Sequence, residues 1–267
     1  MFFGIFIFRG LVMDSIIFWH RLKNILGLGI SLAKAQFKLR NEGSYLGILW
    51  YVMEPFLMFI ILLTVFSKMV GQSIPHYPLY LLLGLIIFNF FSRATSSATD
   101  IISSNAGFIK SIKLNYESMV IANLLQHIVS HIFEILIFAL FLIYYDIAIT
   151  YLLFYPIMLA MISIFILGLS FILSTCGAYF NDLKNIWRVV SRVLWFITPI
   201  FYIVDKPGLI FLINPMFYFI NISRSIFIYH KIPSLSTIAI ITVFSIVFLI
   251  FGLILFEKNK KNFAQIV

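Results

Sequence analysis

Apolar runs of spanning length recur six times along the chain, at about 46–70, 78–102, 116–144, 151–178, 186–204 and 233–256. A helix needs about 20 apolar residues to cross the bilayer hydrocarbon. Loops this apolar would leave backbone N–H and C=O groups unpaired in lipid, so each run predicts a membrane-spanning helix. The first run carries Glu54 and Pro55 in its middle. A carboxylate at that depth costs about 2.5–3.5 kcal/mol on insertion scales, so this span is expected to face something other than lipid.

Two segments break the pattern. From about Asp14 to Arg40 the periodicity is helical and amphipathic, with Ile25, Leu28, Leu32, Ala35 and Leu39 within one face and Lys23, Lys34 and Lys38 opposite. Such a helix is expected to lie along the membrane interface, where it would also serve as a basic anchor for anionic lipid. Residues 205–232 are mostly apolar but are interrupted by Asp205, Lys206, Pro207, Gly208, Asn214, Pro215, Asn221 and Arg224. Leu209–Ile213 and Met216–Tyr229 are each too short to span, and Asn214-Pro215 breaks any continuous helix. Two short re-entrant helices fit this segment, with an amphipathic surface loop as the other reading.

Composition supports the membrane reading. Hydrophobic residues make up 62% of the 267 and charged residues 11%, with a mean hydropathy of +1.06. Soluble domains are about 45–50% apolar and 25% charged, so a water-soluble fold is excluded. The net charge of +9 lies between the spans, so its first meaning is topological, and no nucleic-acid partner is expected. Of the 19 basic residues, 15 fall on the side of both termini, leaving Lys68, Lys206, Arg224 and Lys231 for the other. The positive-inside rule then predicts an all-α polytopic protein of the cytoplasmic membrane with six spans and both ends in the cytoplasm. Residues 1–45 form an N-terminal interfacial segment, 46–256 the transmembrane domain and 257–267 a cytoplasmic tail. The first 19 residues lack a basic leader ahead of their apolar run, so a cleaved signal peptide is not expected.

Candidate chemistry is sparse. The nearest approach to a phosphate-binding loop, Gly27 to Lys34, lacks the glycine before lysine, has alanine after it, and lies in the amphipathic helix. No ATP site, other cofactor or catalytic residue is therefore expected in this chain. His127, His131 and Glu134 share a face of the third span. That spacing suits a metal or proton relay, and equally ordinary hydrogen bonding between helices; no metal site is assigned. Arg93, Thr95, Ser96, Ser97, Thr99 and Asp100 make one half of the second span polar, which favours a protein-facing or water-facing wall. Aromatic residues reach 18%. Most suit lipid and interfacial positions, while Trp50, Tyr51, Phe59 and Phe66 in span one and Trp187, Trp195 and Phe196 in span five could pave a conduit for sugar.

Seven fragments in order resemble the permease subunits of ABC-type polysaccharide exporters, the ABC-2 integral membrane family that serves O-antigen, teichoic-acid and capsule export. Phe37 to Trp50 is similar to its basic run followed by Gly-Ser-x-Leu-Gly-x-Leu-Trp, and Glu54-Pro55 occupies its Asn-Pro or Glu-Pro position. Phe88-Asn89-Phe90-Phe91, Asn105 to Lys110, Tyr179-Phe180-Asn181-Asp182-Leu183, Thr198-Pro199-Ile200-Phe201-Tyr202 and Ile213-Asn214-Pro215 resemble later family motifs. Asn181 stands where a basic residue is usual, and Leu114-Asn115-Tyr116 lacks a frequent proline.

The resemblance implies a homodimer working with two copies of a separate ATP-binding-cassette subunit, which carries the ATP and Mg. It implies a coupling helix at roughly Ser104–Leu114, with Asn105, Phe108, Ile109, Lys110 and Lys113 meeting the ATPase. Two outer gate helices at roughly Leu209–Tyr229 would contain Asn214, Pro215, Asn221 and Arg224. Spans one and five would enclose the path, placing Trp50, Tyr51, Glu54, Phe59, Phe66, Trp187, Trp195 and Phe196 along it. The substrate would be a polyprenyl-pyrophosphate-linked glycan, its anionic head drawn to Lys38, Arg40, Arg188 and Arg192. An ion-coupled secondary transporter using the histidine cluster and a non-transport membrane scaffold are the other classes considered.

Overall fold

The computed structural model describes residues 23–39, 49–69, 71–111, 115–204 and 206–266, and these fold as helices without a strand among them. They are α1 (23–39), α2 (Trp50–Phe66), α3 (Tyr77–Ala98), α4 (Ile101–Ser104), α5 (Ala106–Ser111), α6 (Tyr116–Tyr144), α7 (Tyr155–Tyr179), α8 (Leu183–Ile197), α9 (Leu209–Leu212), α10 (Pro215–Phe227), α11 (Leu235–Asn259) and α12 (Phe263–Ile266). Four helical stretches are long and apolar enough to cross a membrane: Tyr77–Ala98, Tyr116–Tyr144, Ile149–Tyr179 and Leu235–Ile266.

The helix α3 is the axis of the bundle. It is buried along most of its length and packs against α2, α6, α7, α8 and α10. The helices α7 and α11 form the closest pair, because Gly168 and Gly252 face each other at their crossing. A Cβ on Gly252 would run into the Gly168 carbonyl, and one on Gly168 into the backbone of Phe248 and Leu249. Small residues that let backbones touch are the usual route to helix association in lipid.

A second, smaller core gathers the elements near the chain ends. Ile101, Ile102 and Ile109 pack with Met119, Phe171, Phe256 and Phe263. Lys260 pairs with Glu117 at 2.7 Å and with Glu257, tying the end of α11 to the start of α6. The amphipathic helix α1 docks on α6 at Ile25 and Gly29, with Ala33 buried on the same side, and the Ser118 hydroxyl donates to the Ile25 carbonyl at 3.0 Å. A Cβ on Gly29 would sit 3.1 Å from Ile121 Cγ2, so glycine sets the approach. The apolar face is thus narrower than its periodicity implies. Ala35 and Leu39 are exposed, because contact runs along the small-residue stripe.

Three expected spans differ in extent. The first is a 17-residue helix and the fifth a 15-residue one, each shorter than the apolar run around it. At 1.5 Å per residue they reach only about 25 and 22 Å. The fifth begins at Leu183 rather than Ile186 and stops at Ile197 rather than Val204. Thr198 takes extended backbone, as residues before proline do, and Pro199 has no N–H to continue the ladder. The second ends at Ala98, short of Ile102, where Thr99 and Asp100 turn the chain into α4. Gly177 of α7 lets the Thr99 carbonyl come close, and Lys184 holds Asp100 at 2.5 Å. The segment after α8 carries two short helices, α9 of four residues and α10 of thirteen, separated by Ile213 and Asn214.

Candidate functional site

The helices α2, α3 and α8 leave a cleft of about 380 Å³ between them. Arg188 and Arg192 lie one turn apart on α8, with Ser191, Trp195 and Phe196 beside them. Asn89, Ser92 and Ser96 approach from α3 and Met58 from α2. The α8 sequence places charged and hydroxyl side chains at 188, 191, 192 and apolar ones at 186, 189, 190 and 193, so one side of the helix is polar. The Ser191 hydroxyl is buried and has no hydrogen-bond partner among the described residues. Two guanidinium groups with amide and hydroxyl donors have the chemistry to complement a phosphate-like anion, and the rings of Trp195 and Phe196 offer apolar faces alongside.

Beside this cleft an ion-pair network crosses three helices. Arg93 of α3 donates through Nη1 to Glu134 Oε1 of α6 at 2.9 Å and through Nη2 to Glu54 Oε2 of α2 at 3.3 Å. Glu134 is buried, whereas the Glu54 side chain is 76% exposed. The chain continues from Glu134 to His131 Nδ1 at 3.4 Å, and from His131 Nε2 to the Tyr155 hydroxyl at 2.5 Å. His131 also stacks on Phe90. His127 meets the Ser97 hydroxyl at 2.9 Å, and Asn123 holds Ser97 and the Ala94 carbonyl. The polar groups of α6 therefore make hydrogen bonds between helices, and no three His, Cys, Asp or Glu among the described residues are placed to hold a metal.

At the other end of α8 the chain break is clamped to α10. Arg224, 2% exposed, donates to the carbonyls of Tyr80, Pro199 and Ile200 at 2.6–3.1 Å, and its guanidinium lies 3.3 Å above the Tyr80 ring. Gly84 leaves room for it. Asn214 accepts from Met216 N to cap α10 and donates to Thr198 Oγ1 at 2.8 Å. Tyr202 donates back to the carbonyls of Phe196 and Ile197, and Tyr77 and Tyr80 donate to Phe201 and Tyr202. Tyr229 reaches the Pro75 carbonyl at 3.3 Å, and burial raises its phenol above the ordinary value.

The structure brings some of the sequence candidates together and separates others. Trp195 and Phe196 line the cleft with Arg188 and Arg192. Trp187 instead turns its indole N–H to Thr95 Oγ1 at 3.1 Å. Trp50 is half exposed on α2, and Tyr51 follows it there. Phe59 points the opposite way, into the core, 2% exposed against Phe56 and Phe141. Phe66 packs on Phe201. Near the second core, Ile109 is buried, Lys110 is exposed, and Asn105 folds back on the Ile101 carbonyl at 2.7 Å. Phe108 takes helical backbone on α5. Lys38 is exposed near the end of α1, while Arg40 and Lys113 lie outside the described residues. Pro215 opens α10, and Asn221 is half-buried within it. Ser92 and Ser191 carry no signal of their own in the sequence, and Asn89 stands out there only within the Phe88-Asn89-Phe90-Phe91 fragment. Asn89, Ser92 and Ser96 fall at i, i+3 and i+7, one stripe of α3 that continues the polar half of that span.

The chain is 26% identical over 249 residues to the O-antigen export system permease protein RfbA of Myxococcus xanthus, covering 90% of this chain and 95% of that protein. It is 26% identical to the O-antigen export system permease protein RfbA of Klebsiella pneumoniae, covering 93% and 98%. Against the polysialic acid transport protein KpsM of Escherichia coli it is 24% identical, covering 81% and 87%. Residues 29–228, well over half of the 267, match the ABC-2 type transporter family, and the chain belongs to that family.

Proposed function

We propose that this chain is the membrane permease subunit of an ATP-driven polysaccharide exporter in the cytoplasmic membrane, and that the α2–α3–α8 cleft receives the pyrophosphate of a polyprenyl-linked glycan. The observation that carries the reading is the cleft itself: Arg188, Arg192 and the unpartnered Ser191 hydroxyl sit beside aromatic rings on a helix with an open outer face. An anion lodged there places its sugar against Trp195 and Phe196. Relatives over nearly the whole chain carry names for O-antigen export and polysialic acid transport.

The helices α2 and α8 leave Leu57, Ile61, Val65, Val189, Val193 and Phe196 exposed. In this reading a second copy covers part of that surface, and the facing α2 and α8 helices enclose a shared path. With both ends in the cytoplasm, α2 and α8 complete a set of six spans, while α9 and α10 dip into the outer leaflet and return. Two separate ATP-binding-cassette subunits supply ATP hydrolysis and push on α5 and α1. Both helices are packed into the second core, so their displacement reaches α6, α7 and α11 as rigid-body motion.

The test is export of surface glycan in cells lacking the chromosomal copy. Arg188→Ala with Arg192→Ala is expected to retain membrane insertion and ATPase assembly while surface glycan falls and lipid-linked glycan accumulates inside. Normal surface glycan in the double variant sinks the assignment of the cleft. Export that persists without any ATPase subunit sinks the exporter reading.

A further inference from the structure

A second cavity lies on another face, between α7, α10 and α11, and shares no lining residue with the cleft described above. We propose that it holds one acyl chain of an anionic glycerophospholipid, with the lipid phosphate at Lys231. Its volume is about 340 Å³, and its walls are almost wholly apolar, with Met158, Met161, Ile222, Ile226 and Ile241 among them. The flanking stretches Ile149–Tyr179 and Leu235–Ile266 are spanning helices, so the surrounding medium is lipid. Apolar cavities do not hold water, and in a bilayer an acyl chain is the available filler. Unbranched methionines at 158 and 161 adapt to a mobile chain.

Charge identifies the headgroup. Among the described residues Lys231 is the only charged one lining the cavity, and it is exposed. Among the described residues no carboxylate shares the lining or pairs with Lys231, so its ammonium faces the cavity mouth without an acidic partner among them. Beside it His230 sits in a turn with φ 52°, its ring stacked at 4.3 Å on Tyr151, which lines the cavity. The His230 Nε2 is buried without a hydrogen-bond partner among the described residues.

The experiment uses the full chain in nanodiscs of equal phosphatidylglycerol and phosphatidylcholine, with mass spectrometry of the lipid retained after detergent extraction. The wild type is expected to retain phosphatidylglycerol above its bulk share. Lys231→Glu is expected to lower that enrichment about fivefold or more, the worth of one lysine beside anionic lipid. Ile226→Trp fills the cavity and is expected to reduce retention of both lipids. Absence of enrichment in the wild type overturns the proposal, as does enrichment that survives Lys231→Glu. Preferential capture of added polyprenyl phosphate over phosphatidylglycerol assigns the cavity to the substrate's tail and overturns it too. Lys231→Glu alters one exposed side chain, so it decides the question even where Ile226→Trp fails to fold.

Discussion

Arg93 holds Glu134 with one nitrogen and Glu54 with the other, so a single guanidinium joins α2 and α6 through α3. The two carboxylates are not equivalent. Glu134 is 2% exposed and depends on the pair, whereas the Glu54 side chain on α2 is largely exposed. Burial makes the loss of one partner expensive, because it leaves the other charge without compensation.

Replacing Arg93 with Met is therefore expected to destabilise the chain by about 3–5 kcal/mol, the usual consequence of breaking a buried ion pair. Glu54→Gln is expected to change stability less than Arg93→Met, because Arg93 keeps its pair with Glu134 and no buried charge is orphaned. Adding Glu134→Gln to Arg93→Met removes the orphaned charge and should restore much of the loss. Thermal unfolding in detergent reads all three. Equal destabilisation by Arg93→Met with and without Glu134→Gln would show that the pair does not govern stability.

The paired histidines illustrate what a sequence can and cannot supply. Their shared face on α6 followed from i, i+4, i+7 spacing, and interhelical hydrogen bonding was one of its two readings. The partners were not legible, because Ser97, Tyr155 and Arg93 come from helices whose rotation is set by packing. The run at 116–144 matches its helix to the residue, since it contains neither proline nor glycine to end the backbone ladder. The run at 186–204 did not, because apolarity continues past Pro199 while helical backbone cannot. Likewise Arg224 looked like a polar residue in a gate. Its role as a clamp depends on three carbonyls, two of which are free only because the chain breaks at Thr198-Pro199.

That clamp yields a second prediction. Arg224→Ala strips hydrogen bonds from the carbonyls of Tyr80, Pro199 and Ile200; Tyr80 keeps its helical partner within α3, while Pro199 and Ile200 are buried outside any helix, and each group left unsatisfied costs about 1–3 kcal/mol. Arg224→Lys keeps the charge but loses the planar fork, so it should recover only part of the stability. Gly84→Ala attacks the same clamp from below, since its Cβ would lie 2.5 Å from Arg224 Nη2. Both Arg224→Ala and Gly84→Ala are expected to increase protease cleavage between α8 and α10. Unchanged cleavage in both would mean that the break is held by other contacts.

Backbone contact between α7 and α11 leads to a third. Gly252→Val forces a side chain onto the Gly168 carbonyl, and overpacking of this kind costs about 1–3 kcal/mol. Gly208→Ala, at a glycine with open space around it and negative φ, serves as the control and is expected to be neutral. Unfolding midpoints in the same detergent compare them. Matching midpoints would separate α7–α11 packing from stability.

The last prediction distinguishes charge from shape in the α2–α3–α8 cleft. Ser191→Ala removes a hydroxyl that has no partner among the described residues, so it should shift stability by less than about 0.5 kcal/mol or raise it slightly. If that hydroxyl binds the substrate anion, export should fall in the same variant while the protein remains as stable as the wild type. Arg192→Lys extends the comparison: it preserves charge but removes the bidentate fork that suits phosphate. Export is expected to follow the order wild type, Arg192→Lys, Arg192→Ala, with accumulated lipid-linked glycan in the reverse order. A lysine variant as active as the wild type would assign Arg192 to general electrostatic attraction, leaving Ser191 and Arg188 to account for any recognition of the anion's geometry.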